Sequence, residues 1–441
     1  MRRQRAKSGA AFVSVVRGRG WRYCRRPVQF SDTITRWTGV APRAQGPAFL
    51  TGIGHGGTHW VAGVFYILLP FITRDLGLSY AEAGSLVAVF HGSAFAANFG
   101  SGMVVDMTGR RVAFQIVSLV MGALALMAFG LAGSFLVLCG LTMLIGASNN
   151  LWHPPSIALL SQTYPANRGY ALAVHAMGAS LGDTVAPVAA GVLIAAVGWQ
   201  ATAGWSGIPA LAVAGLIAWT LLPSDRPQAG TAKRGSGLTE YVQGVRLIVR
   251  DRAILGLCVM AGFRSMTQNG LYVFLPLYLV NEAGFGPIVM GAAMMMLQLG
   301  GVIAGPVAGA VSDRIGRRPV VLAGLSVSTV IIVALTFVEN ELVYVAGVSL
   351  LGFALFAVRP VVHSWMMDLA PAGMAGSATS LMFGTQSLFS VLLPVVGGIV
   401  ADRFGLTAVF YLLAATVLVS NTLVYLLPRG EARPRPSADA G

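Results

Sequence analysis

Residues 102–111 read GMVVDMTGRR and residues 309–318 read GAVSDRIGRR. The two decapeptides stand 207 positions apart, and each keeps a leading glycine, an aspartate, a second glycine and two arginines in the same register. Charged residues make up 10% of the chain and hydrophobic ones 55%, so a charged pattern written twice calls for a structural reason. The repeat extends well beyond it. Pro187 maps to Pro394, Gly198 to Gly405 and Gly84 to Gly291 at an offset of 207, while Pro70 maps to Pro276 and Pro154 to Pro360 at 206. The chain is built from two long copies of one plan.

With 55 glycines and this apolar content over 441 residues, the chain has too much hydrophobic surface for ordinary soluble domains. A helix that crosses a bilayer needs about 20 apolar residues. Twelve such stretches follow one another, at 49–72, 82–105, 112–133, 135–160, 169–196, 199–222, 254–280, 287–311, 319–337, 342–367, 375–401 and 406–427. None alternates polar and apolar residues as a barrel strand does. The expected fold is an all-α membrane protein with twelve transmembrane helices in two six-helix bundles. Two halves running in the same direction are related by an axis along the membrane normal and enclose a cavity at mid-depth.

Of thirty Lys and Arg residues, eleven precede Phe49 and six lie between Pro223 and Ala253. Arg110, Arg111, Arg314, Arg317 and Arg318 fall in the loops after the second and eighth spans, whereas loops on the other side hold only Arg74 and Arg403. By the positive-inside rule both termini and the central loop are cytoplasmic, as in a multi-pass protein of a bacterial inner membrane. Basicity here reports topology, and no nucleic-acid partner is expected. The domain plan is a basic tail at 1–48, a first bundle at 49–222, a linker at 223–253, a second bundle at 254–428 and a tail at 429–441. The first 48 residues, rich in Arg, fit a disordered cytosolic tail on anionic lipid, an organellar targeting segment, or sequence upstream of the true start. In the linker, Leu238, Tyr241, Val242, Val245 and Ile248 share one helical face, which predicts an amphipathic helix at the cytosolic interface. Cys24, Cys139 and Cys258 have no metal spacing.

The paired decapeptides, each joining the second and third spans of a six-span half, resemble the loop signature of the major facilitator superfamily, and the resemblance covers residues 49 to 428. HGGTHWVAGVFYILLPFITRDLGLSYAEAG (55–84), LWHPPSIALLSQ (151–162), RGYALAVHAMGASLGDTVAPVAAG (168–191) and MMDLAPAGMAGSATSLMFG (366–384) are similar to the fosmidomycin-resistance branch, whose members are proton-driven efflux pumps. That branch usually carries Asp where this chain has His59. The Arg that marks the fourth span of many drug/proton antiporters is missing, and Gly178, Gly182, Pro187 and Gly191 match the antiporter pattern of the fifth span only loosely.

The signature residues have roles of their own. Gly102 and Gly309 are expected to let helices approach closely, and Asp106 and Asp313 to cap a neighbouring helix N-terminus. Gly109 and Gly316 suit a tight turn, and Arg110, Arg111, Arg317 and Arg318 the lipid headgroups. Together they predict a latch that breaks as the halves alternate; the plainer alternative is that these charges only fix topology.

All six histidines, His55, His59, His91, His153, His175 and His363, fall inside spans, where polar side chains are costly and face the bundle interior. Asp183, Arg264 and Arg359 lie deep as well. Asp183 is the expected proton-coupling carboxylate, with His59 and His175 beside it; the alternative is a permanent Asp–Arg lock between the halves. His55, His59, His91, Asn150, His153, Arg264, Arg359 and His363 are the candidate substrate contacts. Two guanidinium groups favour a substrate with an anionic group. The prolines of HPP are expected to break the fourth helix and free its carbonyls. His55 and His59 share a helix face and offer either a metal site or a proton path. HGGTH lacks the Glu of a zinc protease, and hydrogen bonding in a wet cavity suits imidazole better, so no metal is expected.

The expected function is secondary active transport by alternating access, as proton-coupled efflux of a small organic compound, anionic or drug-like. The alternatives are proton-coupled uptake of an organic anion and a non-transporting membrane receptor or scaffold. Spans 1, 4, 5, 7, 10 and 11 are expected to line the cavity. No nucleophile with a partner and no ATP-binding loop occurs, so neither an enzyme nor a cofactor is expected. The expected partners are a small-molecule substrate, protons and the lipid bilayer, with the protein acting as a monomer.

Overall fold

The computed structural model describes Thr35, residues 38–225, 250–370 and 375–427. The basic tail up to residue 34, the interfacial helix expected after residue 238 and the tail from residue 428 lie outside the described residues. The chain divides into two units, Met1–Gln45 and Gly46–Gly441. The described part of the first contains a 3-10 turn at Pro42–Ala44, and Gln45 Nε2 donates to the Val40 carbonyl beside it.

The second unit holds twelve helices among the described residues: α1 Gly46–Leu76, α2 Tyr80–Thr108, α3 Arg111–Phe129, α4 Phe135–Thr163, α5 at 168–197, α6 at 199–220, α7 Arg252–Asn281, α8 Pro287–Ile315, α9 Arg317–Leu335, α10 Glu341–Leu369, α11 Ala375–Phe404 and α12 Leu406–Leu426. Each expected span is present, with its edges moved by at most four residues. Local chemistry sets the ends. Ser79 and Glu82 form a capping box at the start of α2, and Asp251 accepts from the amides of Ala253 and Ile254 at the start of α7. Between α5 and α6 the chain turns on Gly198 alone (φ 79°, ψ 169°), and Gly405 repeats that turn between α11 and α12 (φ 83°, ψ 164°). Only glycine occupies this region readily.

Among the described residues nine helices are long and apolar enough to cross a membrane, counting 168–220 as one. The two that fall short, α2 and α7, carry the polar residues His91, Asn98, Arg264, Gln268 and Asn269. In the first half α1 packs on α5, α2 on α4, and α3 on α4 and α6; in the second, α7 packs on α11 and α12, and α8 on α10. The halves meet where α2 lies against α11, α5 against α8 and α1 against α7.

That meeting is tight at the end of the molecule away from the signature loops. A methyl group on Gly84 would come within 1.9 Å of the Pro394 carbonyl oxygen, and one on Gly291 within 2.5 Å of the Pro187 carbonyl oxygen. These four residues are two repeat-related pairs, so one contact is made twice. Asp402 at the end of α11 reinforces it by accepting from the amides of Tyr80 (2.7 Å) and Ala81 (2.9 Å) at the start of α2. Near the signature loops Gly309 has no heavy atom within contact range of its missing side chain. Its expected close approach is not made here.

Candidate functional site

Four small residues place the first group of functional side chains. Gly52 and Gly56 on α1 face Gly178 and Gly182 on α5, and a methyl on Gly178 would sit 1.8 Å from the Gly52 carbonyl oxygen. Small residues spaced by four let two backbones touch. One turn on, His59 of α1 and Asp183 of α5 meet through a 2.8 Å bond from Nδ1 to Oδ1. Both are partly exposed, at 24% and 33% of their side-chain surface. The pair belongs to one half, and an Asp–Arg lock between halves is not formed.

Behind it lies a histidine cluster. His55 Nδ1 is 2.9 Å from the His175 carbonyl oxygen, its Nε2 is 3.2 Å from His153 Nε2, and its ring stacks on that of His175 at 3.9 Å. Trp152 Nε1 donates to His175 Nε2 at 3.2 Å, and Ser156 Oγ lies 3.1 Å from the same nitrogen. His153 reaches this cluster because α4 breaks at Trp152: Pro154 and Pro155 have no N–H, so the helix restarts at His153. His55 and His175 are buried, at 6% and 5% exposure, and form the cluster's inner wall.

Among the cavities between the halves, two are shared by Arg359. One, of about 200 Å³, is lined by Ser180, Asp183 and Thr184 of α5, Gln268 and Tyr272 of α7, Gln298 of α8 and Arg359 of α10. The other, of about 190 Å³, is lined by His91 and Asn98 of α2, Asn150 of α4, Asn269 of α7, Gln386 and Ser390 of α11, and Arg359 again. Spans 2 and 8 therefore join the expected lining, since they stand at the junction of the halves. Arg359 is exposed into both cavities. Arg264 is 2% exposed, donates to Gln268 Oε1 at 2.9 Å, and leaves its Nε buried with no partner. It lies close enough to Arg359 for the two charges to repel, and His363 lies near both. His363 Nε2 is also buried without a partner. Among the described residues neither arginine forms an ion pair. Arg359 thus brings an unpaired guanidinium to both cavities, with Arg264 buried behind it.

The repeat holds at the level of single bonds. Tyr66 bonds His91 Nε2 at 3.1 Å, and their counterparts Tyr272 and Gln298 bond at 3.0 Å. The rings of Tyr66 and Tyr272 face each other across the junction, 5.8 Å between centroids. Uncharged polar residues were the part that sequence reasoning missed. Ser265, Gln268, Asn269 and Tyr272 follow helical spacing in α7, and that spacing in an apolar span was the available signal.

The signature loops differ from expectation at Asp313. It bonds Arg317 one turn later, and Arg317 also reaches Asp368 of α10 at 3.1 Å, so the aspartate is tied within its own half instead of capping a helix. Arg318 ties α9 to α12 through the Tyr425 carbonyl. Gly109 (φ 66°) and Gly316 (φ 93°) make the two turns, Arg110 is exposed, and Arg111 buries its Nε without a partner. The surroundings of Gly102 and Asp106 lie outside what is described.

These features define a helical multi-pass membrane protein with a polar cavity between two repeated bundles. A family model described as Major Facilitator Superfamily matches residues 51–394 and 262–441, and the chain belongs to that superfamily. A probable sulfoacetate transporter, SauU, of Cupriavidus necator is 25% identical over 82% of this chain and 88% of its own length. The multidrug resistance protein MdtG of Klebsiella pneumoniae is 25% identical over 92% of this chain and 96% of its own. Among solved structures, a bacterial homolog of the human lysosomal transporter Spinster superposes with a TM-score of 0.76 at 15% identity, over 88% of this chain and 98% of that one.

Proposed function

We propose that this chain is a secondary transporter that moves a small organic anion across a bacterial inner membrane, coupled to protons, with both termini on the cytoplasmic side. The observation that carries the reading is the pair Arg264 and Arg359: two guanidinium groups without a carboxylate partner beside the central cavities. The substrate's carboxylate, sulfonate or phosphonate supplies the missing charge. The similarity to a sulfoacetate transporter supports this substrate class.

Asp183 is the proton site and His59 its partner. Asp183 opens into the same cavity as Arg359. Adding a proton to the His59–Asp183 pair favours an anion bound in the same cavity by Coulomb attraction, on the order of 1 kcal/mol at an effective dielectric of about 20. Proton and anion therefore strengthen each other's binding, which is the linkage of symport. The tight contact of the halves at the end away from the signature loops, made twice by repeat-related residues, supports alternating access about this site.

A second reading, efflux by proton antiport, is favoured by the similarity to MdtG and by the segments that resemble the fosmidomycin-resistance branch. One measurement separates the two. After thermal-shift screening of carboxylates, sulfonates and phosphonates, a stabilising compound is given to proteoliposomes holding the purified protein under a pH gradient. Symport accumulates it on the alkaline side and antiport on the acidic side. Stabilisation only by cationic or neutral compounds, or uptake unchanged in Arg359→Gln, overturns the anion assignment.

A further inference from the structure

We infer that His55, His59 and His153 form a binding site for a divalent transition-metal cation of the zinc, cobalt or nickel kind, contained wholly within the first half. One ring nitrogen from each residue lies within 4.8 Å of the others. Proximity alone does not make a metal site, but the hydrogen bonds around the rings add direction.

A carbonyl oxygen only accepts, so His55 Nδ1, 2.9 Å from the His175 carbonyl, carries the ring proton and leaves a lone pair on Nε2. His59 Nδ1 donates to the Asp183 carboxylate and likewise leaves a lone pair on Nε2. A histidine that binds a metal through one nitrogen typically donates the other N–H to a carboxylate or backbone carbonyl. Both acceptor types are present here. The Nε2 atoms of His55 and His153 are 3.2 Å apart, close to the roughly 3.3 Å edge of a tetrahedron with metal–nitrogen bonds of about 2.0–2.1 Å. His153 Nδ1 is buried with the Asn149 backbone close by and no bond of full geometry, so it is free to hold the ring proton and leave the lone pair on Nε2.

The inner wall is rigid, because His55 stacks on His175 and His175 is fixed by Trp152 and Ser156. His59 stands further off, its ring 6.3 Å from that of His153 against 4.9 Å for His55, and turns in to complete the set. Three imidazoles suit zinc, cobalt or nickel and not magnesium or calcium, which take oxygen ligands. The fourth position remains for water or an anion's oxygen. Asp183 acts here as a positioning residue.

The test is titration of the metal-stripped, purified full chain with Co²⁺, followed by competition with Zn²⁺. The expected result is one equivalent of Co²⁺ with the visible absorption of a tetrahedral nitrogen-ligated ion, displaced by Zn²⁺. His153→Asn should weaken binding about 100-fold or more, and Asp183→Asn about tenfold with a shifted band. His363→Asn, in the other half, should leave both unchanged. A parent protein that takes up no Co²⁺ with such a band overturns the inference, as does equal binding by monodisperse His153→Asn. The readout needs neither substrate nor proton gradient, so it fails or succeeds separately from the transport reading.

Discussion

His59 and Asp183 are bonded at 2.8 Å in the first half, and Ser265 and Ser390, at the same repeat positions in the second half, are bonded at 3.3 Å. The offsets are 206 and 207, those of the repeated prolines on the same helices. One geometry thus carries an ionisable pair on one side and two hydroxyls on the other. The opposite asymmetry holds for Arg359, which stands at the repeat position of His153. The imidazole–carboxylate pair sits in the first half and the two unpaired guanidinium groups in the second, which is the division the proposed proton and anion roles require.

Asp183→Asn keeps the shape of the pair and removes its proton exchange. Gradient-driven accumulation should fall by about tenfold or more, since a charged hydrogen bond of roughly 1.5–3 kcal/mol is lost, while substrate exchange without a gradient persists. Parallel flux assays in proteoliposomes check this. Loss of both activities in a well-folded variant would assign Asp183 a structural role instead.

Arg264 separates stability from function. A buried guanidinium with no acid partner destabilises the fold, and replacing buried charge by an apolar side chain of similar length is often neutral or stabilising by about 1–4 kcal/mol. Arg264→Met should therefore raise or preserve the melting temperature while the apparent substrate KM rises about 10–100-fold, the worth of a charge-assisted bond. A lower melting temperature with unchanged KM would show that the guanidinium holds the fold.

The turns at Gly198 and Gly405 make a prediction about the scaffold alone. Both lie at φ near 80° with extended ψ, a region that costs other residues about 1–3 kcal/mol. Gly198→Ala and Gly405→Ala should each lower the melting temperature by similar amounts, with substrate KM unchanged.

Spans, repeat and both arginines were legible in the sequence because hydropathy and charge act over whole segments. His59 and Asp183 were legible singly, as costly residues in oil, but their bond depends on the contact of Gly52 and Gly56 with Gly178 and Gly182, and no local pattern specifies which helices touch. The third member of the histidine cluster was hidden for the same reason: His153 is 98 residues from His55 along the chain. Asp313 was assigned a cap from its place in the loop, yet Arg317, one turn away, is its partner.

The sealed end gives the last prediction. Gly84 and Gly291 touch the Pro394 and Pro187 carbonyls so closely that any side chain forces the backbones apart. Closed cores do not yield smoothly to such overpacking, which costs about 1–3 kcal/mol per site. Because the same residues are free of that contact once the halves separate at this end, the cost falls on one conformation, and Gly84→Val should shift the population by about 5–100-fold away from it. Tyr80→Cys, beside the Asp402 cap and with Cys24, Cys139 and Cys258 replaced, reports the change. It should react slowly with a membrane-impermeant maleimide in the parent and much faster in Gly84→Val, and transport should fall because the cycle no longer returns through the closed state. Asp402→Asn, which weakens the cap without blocking closure, should speed labelling less and leave measurable transport. Equal labelling in all three proteins would mean that this seal does not open during the cycle.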